Sequence, residues 1–98
     1  MITRRKVYRV VWIDPYGDCI DYDHADDALP VAKRAAYADT QARNWASVPG
    51  AVAGIVESGI DTWDSEAESR VDLDMQTVAV YGDASAARAG GWLEESQT

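Results

Sequence analysis

One cysteine, one histidine, two lysines and no phenylalanine occur among the 98 residues. Cys19 has no partner for an internal disulfide, and with His24 it is two ligands short of a structural zinc site. Packing must therefore hold the chain together. Long hydrophobic runs are also missing. The longest stretch without a charge, 44–56, falls well short of the roughly 20 apolar residues that span a bilayer, and Pro49, Gly50 and Gly54 interrupt it. After Arg4, Arg5 and Lys6 the apolar residues alternate with polar ones instead of forming the core of a signal peptide. A cytoplasmic protein without membrane contact is expected.

Basic charge is scarce and badly distributed. Nine Lys and Arg oppose 17 Asp and Glu, a formal net charge of −8, and Arg4, Arg5, Lys6 and Arg9 precede every acidic residue. Such a chain repels nucleic acid and membranes and steers toward basic partners. A 47% hydrophobic and 27% charged composition is that of an ordinary globular chain, and the length suits one domain over 1–98, with 93–98 as a frayed tail.

Local patterns predict an α+β fold. Residues 7–13 are rich in β-branched and aromatic types and 19–23 alternate, with Asp14-Pro15-Tyr16-Gly17-Asp18 between them. Pro15 presets the second position of a type I turn, Asp14 caps it, and Gly17 supplies the left-handed residue of a three-residue hairpin loop. That loop places Trp12 opposite Ile20, Val10 opposite Tyr22 and Tyr8 opposite His24 on an apolar face. Val11 with Asp21 and Arg9 with Asp23 then lie on a wet face, the second as an ion pair.

Ala28, Val31, Ala35, Ala38, Ala42 and Trp45 fall on one helical stripe. Pro30 must lie in the first turn, so Asp27 is the predicted N-cap and the helix starts near Ala28, with Lys33, Arg34, Gln41 and Arg43 toward water. It ends before Pro49. A strand over 51–58, an exposed acidic connection over 61–69, a long strand over 70–81 and a short helix capped by Asp83 and stopped by Gly90-Gly91 complete the pattern. The expected architecture is ββαββ: a small antiparallel sheet of about four strands, one main helix on one face and a C-terminal helical turn.

No motif here carries catalytic chemistry. Counting from Asp21 as a calcium loop, the fifth position is Ala25 and the sixth Asp26, where that loop needs an oxygen ligand and then glycine. Cys19 and His24 differ by an odd number and so point to opposite faces of a regular strand. Neither an enzyme nor a cofactor is expected, although Asp61, Asp64, Glu66 and Glu68 could wrap a weakly held cation.

What remains is acidity. Carboxylates at i and i+2 on one strand face lie about 6.6 Å apart, as Asp21 with Asp23 and Asp72 with Asp74 would. Rows of this kind can occupy a surface that otherwise binds phosphates. The expected binding surface comprises Asp21, Asp23, Asp26, Asp61, Asp64, Glu66, Glu68, Asp72 and Asp74, with Trp63 and Trp92 as interface aromatics. The partner would be a basic protein or nucleic-acid-binding complex, as for phage-type inhibitors of host defence. The alternative is a self-associating accessory domain that uses a strand edge and Trp63 or Trp92, its acidity serving only solubility or a halophilic habit.

Overall fold

A computed structural model describes residues 1–94, except for the side chain of Asp72. The tail expected to fray is thus described only as far as Glu94. Five strands form one antiparallel sheet: β1 (Ile2–Ile13), β2 (Cys19–His24), β3 (Ala53–Asp64), β4 (Ser69–Leu73) and β5 (Gln76–Gly82). Helix α1 (Val31–Arg43) runs into a 3-10 turn (Trp45–Ser47), and α2 (Ala84–Ala89) follows the last strand. The order is β2-β1-β3-β4, with β5 pairing β3 as well. Among the described residues no helix is long and apolar enough to cross a membrane.

The pairing of β1 with β3 is the axis of the molecule. It runs without a break from Ile2 opposite Asp64 to Ile13 opposite Ala53. Both strands extend past the expected 7–13 and 51–58. Residues 61–64, assigned from sequence to a loop, continue β3, because Thr3, Arg4 and Arg5 offer them a partner strand. The expected long strand over 70–81 is two strands laid end to end on the same edge of β3. β4 pairs Asp61–Asp64 and β5 pairs Ala53–Ser58.

Both faces of one half of this ribbon are apolar, so both are covered. On one face Val10, Trp12 and Val56 pack under Ala38 and Ala42 of α1, with Tyr8, Trp45, Ala79 and Tyr81 around them. On the other, Val11, Ile13, Ala53 and Ile55 pack under Ala86 and Ala87 of α2, with Trp92 and Leu93 closing the end. The face expected to be wet therefore holds half the core.

Helix α1 starts three residues later than predicted. Pro30, extended at ψ 151°, is its N-cap, and no side chain caps it. Residues 26–29 form a turn instead, with Asp26 Oδ1 accepting from Ala28 N–H at 2.9 Å and Asp26 C=O from Leu29 N–H at 3.0 Å. Asp–x turns of this kind compete with helix. The buried stripe rotates accordingly: Arg34, Ala38 and Ala42 are buried and Val31 is exposed. Arg34, expected in water, donates from Nη1 to Asp27 C=O at 2.9 Å, and its buried Nε has no partner among the described residues. The cap of α2 is as predicted, Asp83 accepting from Ser85 N–H and Ala86 N–H.

Close approach of α1 depends on Gly54. A Cβ built there would lie 2.1 Å from the carbonyl oxygen of Ala42, while Trp12 beside it donates from Nε1 to Gln41 C=O at 3.2 Å. Gly54→Ala must push the helix off the sheet, and we expect a loss of about 2–3 kcal/mol, measurable as a lower urea midpoint with unchanged slope.

Candidate functional site: the acidic sheet edge

From residue 10 to residue 32 the chain has six aspartates and no Lys or Arg. The fold lays this segment along one side of the sheet, because β2 pairs only with β1. The turn follows the expected chemistry: Asp14 C=O accepts from Gly17 N–H at 2.9 Å, and Asp14 Oδ1 accepts from Tyr16 N–H and Asp18 N–H at 2.9 and 3.0 Å. Ile13 then faces Cys19, as the loop requires.

Beyond that pair the expected register fails. Ile20 bulges, so Trp12 faces Asp21, Val11 faces Tyr22, Val10 faces Asp23 and Arg9 faces His24. Every side chain of β2 past the bulge changes face relative to expectation. The ion pair between Arg9 and Asp23 does not form. Asp23 lies on the α1 side, where its carboxylate accepts from the Tyr37 hydroxyl. The bulge also cancels the parity argument for Cys19 and His24, which share a face but stand five residues apart, with the Tyr22 ring against His24 at 5.6 Å.

The bulge sets which backbone groups face outward. Tyr22 N–H donates to Asp21 Oδ1 at 2.8 Å and His24 N–H to Asp23 Oδ1 at 2.9 Å. These donors point away from β1, and each is covered by the carboxylate of the residue before it. An edge strand normally offers such N–H groups to any passing strand. Here it offers carboxylate and carbonyl oxygens. Among the described residues Asp27, 3.4 Å from Arg5, is the one carboxylate of this segment in an ion pair.

The other expected site residues lie elsewhere. Asp64 accepts from Glu66 N–H and Ala67 N–H in the β3–β4 turn, and Glu66 lies 3.8 Å from the terminal ammonium. Glu68, with φ 51°, and Asp74 are exposed, and the Asp72 side chain lies outside the described residues. Asp64 stands opposite Ile2 and Asp21 opposite Trp12, ten residues along β1, or about 33 Å. The expected acidic surface is therefore split between opposite edges of the sheet, with Asp64, Glu66 and Glu68 at the end far from Asp21, and Asp74 beside Gly59, opposite Val7 and about midway along.

Asp61 belongs to neither. It is buried, with Arg5 Nη2 donating at 3.2 Å and Arg70 Nε at 2.9 Å, close enough for an ion pair but not aligned as a hydrogen bond. Glu57, also buried, accepts from Arg9 Nε and Nη2 on one oxygen at 2.8 and 2.6 Å. Sequence reasoning missed this network. Its one signal was that Arg5 and Arg9 share a strand face, as Glu57 and Asp61 do.

Trp63 is exposed on β3, whereas Trp92 packs on the Val11 cluster and donates from Nε1 to Gly17 C=O at 2.8 Å, tying the C-terminal segment to the hairpin turn. Among the described residues no group of three or more His, Cys, Asp or Glu side chains is arranged to hold a metal ion. No protein-family model, no curated protein and no solved structure matches the chain.

Two tyrosines are tied to carboxylates beside the site, Tyr37 to Asp23 and Tyr81 to Asp39, with Arg43 4.6 Å above the Tyr81 ring. Each phenol is raised above its ordinary value of 10.0, chiefly because the neutral O–H donates to a carboxylate. Asp39 is held low by the Tyr81 hydroxyl and then by Arg43. The stabilisation from the two phenols is thus present below pH 10 and is lost as pH rises through their higher folded values. That from Asp39 is present above its ordinary 3.8 and is lost as pH falls through its lowered value. In an absorbance titration two of the five tyrosines should ionise late, and Asp39→Asn should return one of them to the ordinary range.

Proposed function

We propose that this chain is a non-catalytic binding module that docks its β2 edge on a basic protein surface, of the kind that nucleic-acid-binding proteins use to hold phosphates. The observation that carries the reading is the pair of outward N–H groups on β2 covered by Asp21 and Asp23. With its donors covered, the edge presents negative charge and acceptor atoms to an approaching partner. Asp14, Asp18, Asp21, Asp23 and Asp26 have no ion-pair partner among the described residues, which leaves their charge available to Lys and Arg of a partner. Their spacing along the strand, about 6.6 Å for Asp21 and Asp23, is that of charges a phosphate-binding groove can pair in sequence. An inhibitor that blocks such a groove in a defence complex, as phage-type anti-defence proteins do, is the biological role that fits this chemistry.

Charge placement, not total charge, is the point to test. A fluorescent Lys/Arg-rich peptide serves as the probe, with binding followed by anisotropy. Asp18→Asn, Asp21→Asn and Asp26→Asn combined should weaken binding about tenfold, from roughly 0.5 kcal/mol per lost charge contact. Glu66→Gln, Glu68→Gln and Asp74→Asn combined remove the same charge from the opposite edge, in the β3–β4 turn and the β4–β5 connection, and should change it less than twofold. Equal losses from both triples would mean that acidity acts only through net charge, and the reading would fall. Affinity should also drop steeply with added salt.

A further inference from the structure

Strand β1 has 12 residues and β2 has six, so β2 covers only part of the outer side of β1. Their pairing ends at Arg9 opposite His24, and one more bond follows, from Ala25 N–H to Tyr8 C=O at 3.1 Å. There the chain turns away through 26–29. Residues 2–6 are left extended, paired with β3 on one side and with no strand on the other.

Register decides what this stretch offers. Backbone N–H and C=O of one residue point to the same side, and sides alternate along a strand. Tyr8 C=O points toward β2, whereas Met1 C=O accepts from Ser65 N–H at 3.0 Å on the β3 side. Ile2, Arg4 and Lys6 share the parity of Tyr8, so their N–H and C=O groups point outward. Neither the turn, loop and cap bonds nor the side-chain bonds of the described residues give these groups a partner. The covering that aspartates give β2 is absent, because the residues before Arg4 and Lys6 are Thr3 and Arg5.

The side chains along this edge are basic. Arg4 and Lys6 are exposed and stand opposite Thr62 and Ile60, so no carboxylate faces them across β3. Neither makes an ion pair among the described residues. With Arg5 they rim a shallow groove of about 520 Å³ lined by Ile60, Thr62 and Val71. Of the acids nearby, Asp27 and Asp61 lie 3.4 and 3.2 Å from Arg5, and Asp26 Oδ1 accepts from Ala28 N–H. Asp23 stands opposite Val10, four residues from Lys6. That is roughly 13 Å, beyond the Debye length of about 8 Å at physiological salt.

We propose that the edge formed by Ile2, Arg4 and Lys6 is a strand-addition site for an acidic, extended segment of a partner protein. Added antiparallel, such a segment exchanges backbone bonds with these three residues and sets its alternate side chains directly opposite theirs. Carboxylates two positions apart, about 6.6 Å, then meet Arg4 and Lys6 as cross-strand ion pairs. Basic side chains on an edge turn away uncharged and basic strands, and an acidic one is the strand they favour. Backbone chemistry selects a peptide over a nucleic acid: a phosphate backbone has no N–H to meet the outward C=O groups, whereas a peptide supplies donor and acceptor at the same residue. It also disfavours β2 of a second copy, whose outer N–H groups are covered by its own Asp21 and Asp23.

A fluorescein-labelled peptide of alternating Glu and Val, followed by anisotropy with the intact chain, tests this. It should bind the wild type. Arg4→Glu with Lys6→Glu, both at exposed positions, should weaken it about tenfold with an unchanged circular dichroism spectrum, and should bind a Lys/Val peptide instead. N-methylation of the central Glu residues of the peptide should abolish binding, because their N–H groups face the edge, while N-methylation of the central Val residues should leave it. Asp18→Asn, Asp21→Asn and Asp26→Asn combined should not weaken it, which separates this site from the acidic edge. Absence of binding, equal effects of the two N-methylations, or an oligothymidylate that binds as tightly as the Glu/Val peptide overturns the proposal. Each of those results leaves the Lys/Arg-peptide test of the β2 edge standing.

Discussion

Twelve consecutive residue pairs join β1 to β3, and every other element is placed by that ribbon. Its two halves ask for different things. Between Val10 and Ile13 the strand is apolar on both faces, and four of the side chains it shares with β3 (Val10, Val11, Ile13 and Ile55) are almost wholly buried. At about 1.5–3 kcal/mol each, their burial outweighs any ion pair in the molecule. Two helices are needed to cover them, and the short α2 with Trp92 exists in its position because the second face cannot be left in water. Between Ile2 and Arg9 the same ribbon carries charge, and Tyr8 is its contribution to the cluster under α1. Arg5 and Arg9 are paired across to Asp61 and Glu57, so the arm is held by backbone pairing and by carboxylates sheltered under guanidinium groups.

A chain with 17 acidic residues must keep their repulsion from opposing the fold. Two of them are buried against arginines on the arm. Asp14, Asp26, Asp64 and Asp83 cap backbone N–H groups in turns and at a helix start, where a carboxylate oxygen is a good acceptor. Asp21 and Asp23 do the same along an edge strand, and there the local role has a consequence outside the molecule. Covering the donors of β2 removes the template for strand addition and leaves charge as the only strong signal on that side. The opposite side of the sheet at the same level is the uncharged β5. The two edges are kept apart by β1 and β3, which lie between them.

The elements read most directly from the residues were those set within a few positions along the chain. The turn at 14–18 follows from Asp14, Pro15 and Gly17, and the start of α2 from Asp83, because an Asp side chain reaches N–H groups two or three residues ahead whatever the rest of the fold does. The alternation and stripe patterns likewise pointed to an antiparallel sheet with a helix on it. The first errors appear where two local preferences compete. Asp26 closes its own turn, so α1 begins after Pro30 and its buried stripe rotates to include Arg34.

The sequence by itself determined the α+β class, the hairpin turn, the cap of the last helix and the acidity of residues 10–32, since each depends on neighbours in the chain. Tertiary structure decided the rest. A single bulged residue, Ile20, reverses the faces of β2 because side chains alternate with a period of two, and no local signal marks it. The extension of β1 and β3, the division of 70–81 into two strands and the burial of Asp61 all require a partner strand distant in sequence. Whether the acids form one surface was decided the same way. They are split between two edges, because β1 and β3 lie between β2 and β4.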